Sequence, residues 1–134
     1  MKAQNLPQQS VSTFTIKIVN LLGRIYLLVP DQAKMRHVLV KDIVRLEGVR
    51  NYTILHLKNG DTMISSRTLK VYENILLEAD FLRVHKAHLI NMQCLRNYDE
   101  SDLMFAVMQN RDKISISRRK RKDFQVRILD KAIN

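Results

Sequence analysis

Apolar and polar residues alternate one by one along most of this chain, a spacing that suits strands with one buried face and little else. Phe14, Ile16 and Ile18 alternate with Thr13, Thr15 and Lys17. Further runs predict strands at Arg24–Val29, His37–Val40, Ile43–Glu47, Tyr52–Leu57, Thr62–Ser65, Phe81–Val84, Leu89–Asn91, Leu103–Met108 and Lys113–Ser117. Pro30-Asp31 predicts a turn, and Asn59-Gly60 predicts a hairpin because both residue types tolerate positive φ. Two segments depart from this period. After Ser66, read as an N-cap, Leu69, Tyr72, Ile75 and Leu76 fall on one helix face. After Ser117, a second N-cap candidate, Phe124, Ile128 and Leu129 are spaced for a C-terminal helix. The chain is therefore mainly β, with one or two short helices.

A chain of 134 residues with no low-complexity tract, no long repeat and only three glycines and two prolines reads as one domain over residues 13–134, preceded by a loosely ordered segment 1–12. The apolar stretch Ile16–Val29 is interrupted by Lys17, Asn20 and Arg24, which excludes a membrane-spanning helix there. The N-terminus has no apolar core of a signal peptide, and the lone cysteine, Cys94, excludes an intramolecular disulfide framework. A cytoplasmic protein is expected.

Charge identifies the class of partner. The chain holds 23 Lys and Arg against 13 Asp and Glu, a net charge of +10. Nine basic and three acidic residues between Arg111 and Lys131 supply +6 of that excess, with five consecutive cations from Arg118 to Lys122. Cations at a helix start oppose the helix dipole, whereas the free N–H groups there suit a phosphate. A solvated terminus is the plain alternative; the run's place between a patterned strand and an apolar helix face favours a structured surface for a polyanion. Too few apolar residues follow to insert into a membrane, so nucleic acid is preferred.

Other residue groups have bland readings that outweigh the chemical ones. His85 and His88 with Cys94 suggest a metal, but three scattered groups fall short of four converging ligands. Cys94 is read as a small buried hydrophobe, and Asp99-Glu100-Ser101-Asp102 as a solvated loop rather than paired catalytic carboxylates. No phosphate-binding glycine loop or nucleophile motif is present. The sequence calls for no catalytic residue, no cofactor and no metal.

Two polar clusters, Gly48–Tyr52 and Arg83–His88, interrupt the strand pattern and read as loops. The ordered set Asp42-Ile43, Leu46-Glu47-Gly48, Asn51-Tyr52, Asn59-Gly60, Phe81-Leu82-Arg83-Val84-His85-Lys86, Leu89-Ile90-Asn91 and Ile114-Ser115-Ile116-Ser117-Arg118-Arg119 closely resembles the LytTR domain of bacterial transcription regulators, from about Val38 to Phe124. The resemblance implies an elongated sandwich of small antiparallel sheets with a helix against them, and loops that enter successive major grooves of duplex DNA and bend it. It implies base reading by Asn51, Lys86 and Arg118, and phosphate contacts from Arg50, Arg119, Lys120 and Arg121. His85 is read as a packing residue or a further phosphate contact. Asn51 also suits a turn in the left-handed conformation, and the two roles are compatible.

Binding as a homodimer, at least on DNA, is implied as well. Ala87 and His88 depart from the family's usual residues, as does Asn110-Arg111-Asp112, which replaces the usual Asn-Gly turn. The usual phospho-receiver domain has no room in 134 residues, so a stand-alone regulator is expected. Two other functions fit the basic surface. One is an interaction module whose basic face docks an acidic or membrane-bound inhibitory protein, with Thr13–Val29 as an interface or dimer contact. The other is an RNA-binding β module, for which the few aromatics, mostly in apolar alternation, make a poor stacking platform.

Overall fold

The computed structural model describes residues 15–31 and 33–133. The expected loose segment 1–12 and the start of the first predicted strand lie outside them. The chain divides into two compact units between Val40 and Lys41.

The first unit is a three-stranded antiparallel meander, β1 (Lys17–Leu21), β2 (Arg24–Asp31) and β3 (Lys34–Leu39), with β2 in the middle. Leu22 and Gly23 both take positive φ, 53° and 84°, the twist that a two-residue hairpin requires. That turn carries β1 three residues further than its alternation alone predicted. The reversal expected at Pro30-Asp31 falls instead between Asp31 and Lys34, where those two residues pair. Pro30 ends up inside β2, past the Lys17↔Leu28 end of the β1 ladder, so its missing N–H removes no bond from that ladder. Leu27 pairs with Val38, and both are buried with Val29.

The second unit is built on a five-stranded antiparallel sheet of β4 (Ile43–Val49), β5 (Tyr52–Leu57), β6 (Thr62–Ser65), β7 (Phe81–His85) and β8 (His88–Asn91), in the order β6-β5-β4-β8-β7. One face carries Leu46, Leu55, Met63 and Leu89, set side by side by the register. Helix α1 (Leu69–Ile75) packs on β4, β7 and β8 and buries Leu69 and Tyr72. The buried Tyr72 hydroxyl donates to Ser65 Oγ at 2.6 Å, and burial pushes its pKa up to about 12. The N-cap of α1 is Thr68 rather than Ser66, and its side chain makes no cap hydrogen bond.

The opposite face contributes Val44, Val84 and Ile90 to a core completed by Ala106, Met108, Ile114, Ile116 and Phe124. Those residues come from a second sheet, β9 (Leu95–Tyr98), β10 (Phe105–Met108) and β11 (Lys113–Ser115), from Ile116 just after β11, and from helix α2 (Arg121–Ile133). Cys94 lies in the same core, fully buried. Strand β9 has no signature in the sequence, because Leu95 and Tyr98 flank exposed Arg96 and Asn97 and leave no alternation to read. The acidic loop serves the backbone: the Asp99 carboxylate accepts the N–H of Ser101 at 3.2 Å and of Met104 at 3.1 Å. The Met104 N–H foremost holds that carboxyl below its ordinary range. Among the described residues no helix is long and apolar enough to cross a membrane.

Candidate nucleic-acid interface

Strand direction brings the predicted residues together. β4 runs antiparallel to β5 and to β8, and β8 antiparallel to β7. The β4–β5 turn and the β7–β8 turn therefore emerge at the same end of the sheet, where Gly48 N–H donates to Ala87 O at 2.9 Å. A Cβ on Gly48 would stand 3.4 Å from Leu69 Cβ and Cδ2, so the missing side chain lets β4 and α1 approach at this point. The third segment arrives from the far end of the chain, where Ser117 N–H donates to Val84 O at 2.8 Å. It then forms a 3-10 turn, Arg118–Lys120, that leads straight into α2.

Each predicted side chain has a definite setting. Arg50 and Asn51 form the two-residue β4–β5 turn and are both exposed. Arg50, with φ 57°, takes the left-handed conformation that was expected of Asn51. Asn51 is thus relieved of that backbone role, and its amide makes no hydrogen bond among the described residues. The cluster Arg83–His88 is mostly strand: Arg83 and His85 belong to β7 and His88 opens β8, leaving Lys86-Ala87 as the turn. Lys86 is exposed, and its ammonium has no partner among the described residues. Arg118 and Arg119 are exposed, while Lys120 and Arg121 are half-buried, with Arg121 Nε enclosed and unpaired. The Ser117 hydroxyl makes no cap bond.

His85 Nδ1 accepts the Ala87 N–H at 3.0 Å, so a neutral ring carries its proton on Nε2, which is left as a donor. The His88 ring lies 5.1 Å from it, half-buried, with Nδ1 unpaired. Burial lowers the His88 pKa, and the charge of Arg45 lowers it further.

Between α1, the β7–β8 turn and the 3-10 turn lies a pocket of about 450 Å³, lined by Lys70, Glu73, Arg83, His85, Lys86, Ser117, Arg119 and Lys120. It holds five formal cations and one carboxylate, a composition that favours an anion. Arg118, Arg50 and Asn51 stand outside it. Sequence reasoning missed Lys70 and Glu73, because polar residues on the outer side of a helix look like a solvated face. Arg83 lies within the Phe81–Lys86 motif, which by itself gives it no role. Asp80 ties α2 down by accepting from Arg127 Nη1 at 2.8 Å, with Lys131 Nζ at 3.4 Å.

The family model of the LytTr DNA-binding domain matches residues 33–128, which include all three clusters. Among solved structures, the chain is similar to the LytTr DNA-binding domain of a protein described as a methyl-accepting/DNA response regulator from Bacillus cereus. The two share 15% identity at a TM-score of 0.65, over 77% of this chain and 95% of that one, a likeness of fold. No curated protein matches the chain. A family match over most of the chain, on a fold of the same kind, establishes that this chain belongs to the LytTR family of DNA-binding domains found in transcription regulators.

Proposed function

We propose that this end of the five-stranded sheet reads duplex DNA by sequence, as part of a bacterial transcription regulator. Asn51, Lys86 and Arg118 reach base edges in the major groove, where Asn pairs with adenine and Arg or Lys with guanine. Arg50, His85, Arg119, Lys120 and Arg121 contact phosphates and fix the register. Successive major grooves lie about 34 Å apart, so side chains from one small sheet end reach both only if the duplex curves toward the protein. Two copies bind paired sites as a homodimer on DNA.

The observation that carries this reading is the meeting of three polar clusters, far apart in sequence, at one sheet end through the Gly48–Ala87 and Ser117–Val84 backbone bonds. Selection from a random duplex pool tests it. The full chain should enrich one sequence, and Asn51→Ala, Lys86→Ala and Arg118→Ala should each weaken that complex about tenfold or more while leaving non-specific affinity less affected. Parallel losses on both kinds of DNA would reduce these residues to phosphate contacts. A pool with no enriched sequence would leave the basic face to an acidic inhibitory protein.

A further inference from the structure

We infer that Glu73 and Arg83 form a positioning pair that holds the β7–β8 turn in one conformation and so sets the aim of Lys86, and that Arg83 does not itself bind phosphate. The inference rests on the DNA reading above. Arg83 lies in a cationic pocket, yet all three nitrogens of its guanidinium are engaged inward. Nε donates to His85 O at 3.0 Å, Nη2 to Lys86 O, and Nη1 to Glu73 Oε1 at 2.8 Å. The β7–β8 ladder is irregular between Arg83 and His85, and the arginine fork takes up carbonyls of the turn just beyond it.

Glu73 stands on α1, which Leu69 and Tyr72 anchor in the core, so the fork is tied to a rigid element. Both backbone groups of Ala87 are also tied: its N–H to His85 Nδ1 at 3.0 Å, and its O to Gly48 N–H at 2.9 Å. Lys86 alone projects from the turn without a partner among the described residues. A carboxylate facing a polyanion weakens binding by simple Coulomb repulsion; Glu73 makes sense there as the anchor of Arg83.

That repulsion gives the test its opposite signs. The full chain, Glu73→Gln and Arg83→Lys are titrated with the selected duplex and with a scrambled one, and amide exchange is followed in the free proteins. Glu73→Gln should bind the scrambled duplex more tightly, having lost a negative charge, yet bind the selected duplex about tenfold more weakly. Arg83→Lys keeps the charge, so its salt dependence should not change while its preference for the selected duplex falls by a similar factor. Both should speed exchange of the Ala87 amide. Tighter binding of both duplexes by Glu73→Gln, or unchanged Ala87 exchange, would overturn the inference while the DNA reading stands. A wild-type chain with no preference between the duplexes would overturn both. Should Arg83→Lys fail to fold, Glu73→Gln decides alone.

Discussion

Replacing Arg111 with glycine should stabilise the protein, because two hairpins of this chain share one turn and only one of them has the residue that the turn prefers. In the first, Leu57 N–H donates to Asp61 O at 2.9 Å and Gly60 N–H to Leu57 O at 3.0 Å. In the second, Met108 N–H donates to Asp112 O at 2.9 Å and Arg111 N–H to Met108 O at 2.8 Å. The side chains repeat as well: Asn59 Oδ1 accepts Asp61 N–H at 2.9 Å, and Asn110 Oδ1 accepts Asp112 N–H at 3.0 Å. The third residue of each turn is left-handed, Gly60 at φ 92° and Arg111 at φ 75°. A side chain there costs roughly 1–2 kcal/mol, while glycine loses back about 0.4–1 kcal/mol through the greater freedom of its unfolded chain. The net gain for Arg111→Gly is about 0.5–1 kcal/mol, or roughly 2–5 °C in Tm. Arg111 is exposed, and its lost charge changes this little. Urea unfolding followed by circular dichroism measures the difference. The control is Gly60→Ala, whose added Cβ meets nothing within 4 Å, so that any loss is conformational. If Arg111→Gly is no more stable than wild type while Gly60→Ala is weakened, the equivalence of the two turns is refuted.

Three further substitutions or conditions probe the supports of the site. Phe124 is fully buried and packs edge-on against Tyr98 at 5.5 Å, so Phe124→Ala should cost about 3–5 kcal/mol and release α2, seen as loss of its amide protection. Asp80→Asn keeps the left-handed tolerance that φ 63° demands but removes the charge facing Arg127 and Lys131; with these groups partly exposed the loss should be about 1 kcal/mol in chemical unfolding. His88 has a lowered pKa when folded, so the unfolded chain takes up its proton first as pH falls below about 6.5. Stability should therefore decline from that pH downward, level off once the folded ring is protonated, and decline less steeply in His88→Gln.

Most strands were legible because a half-buried sheet imposes period two on its sequence. Where burial does not alternate, as at Leu95–Tyr98, that signal disappears. Helix starts were displaced for a related reason: Ser66 and Ser117 are good capping residues by type, but neither makes a cap bond as the N-cap of an α-helix. The segment after Ser117 spends one 3-10 turn before α2 begins. The three clusters of the site could each be named from sequence. Their meeting could not, because it depends on β4 pairing with β8 across some forty residues that include a hairpin and a helix. Glu73 illustrates the same limit at the level of one side chain, since only its partner Arg83 distinguishes it from a solvated helix residue.

Net charge has the same ambiguity, and resolving it changes what binding should look like. Of the chain's cations, Arg45 is spent on Glu47 and Asp112, Arg83 on Glu73, and Arg127 and Lys131 on Asp80. Arg50, Lys86, Arg118 and Arg119 are exposed and have no ion pair among the described residues. At physiological salt a charge is felt over about 8 Å, so a bound duplex responds to the cations at the sheet end and hardly to the formal total of +10. If all ten excess charges released counterions, log affinity would fall with log salt at a slope of about −9. In the proposed reading the four always-charged phosphate contacts, Arg50, Arg119, Lys120 and Arg121, give a slope of about −4 per bound copy. Titration against a scrambled duplex at several salt concentrations separates the two. A slope near −9 would mean that charge acts as an undirected cloud, and the division of cations into internal braces and phosphate contacts would fail with it.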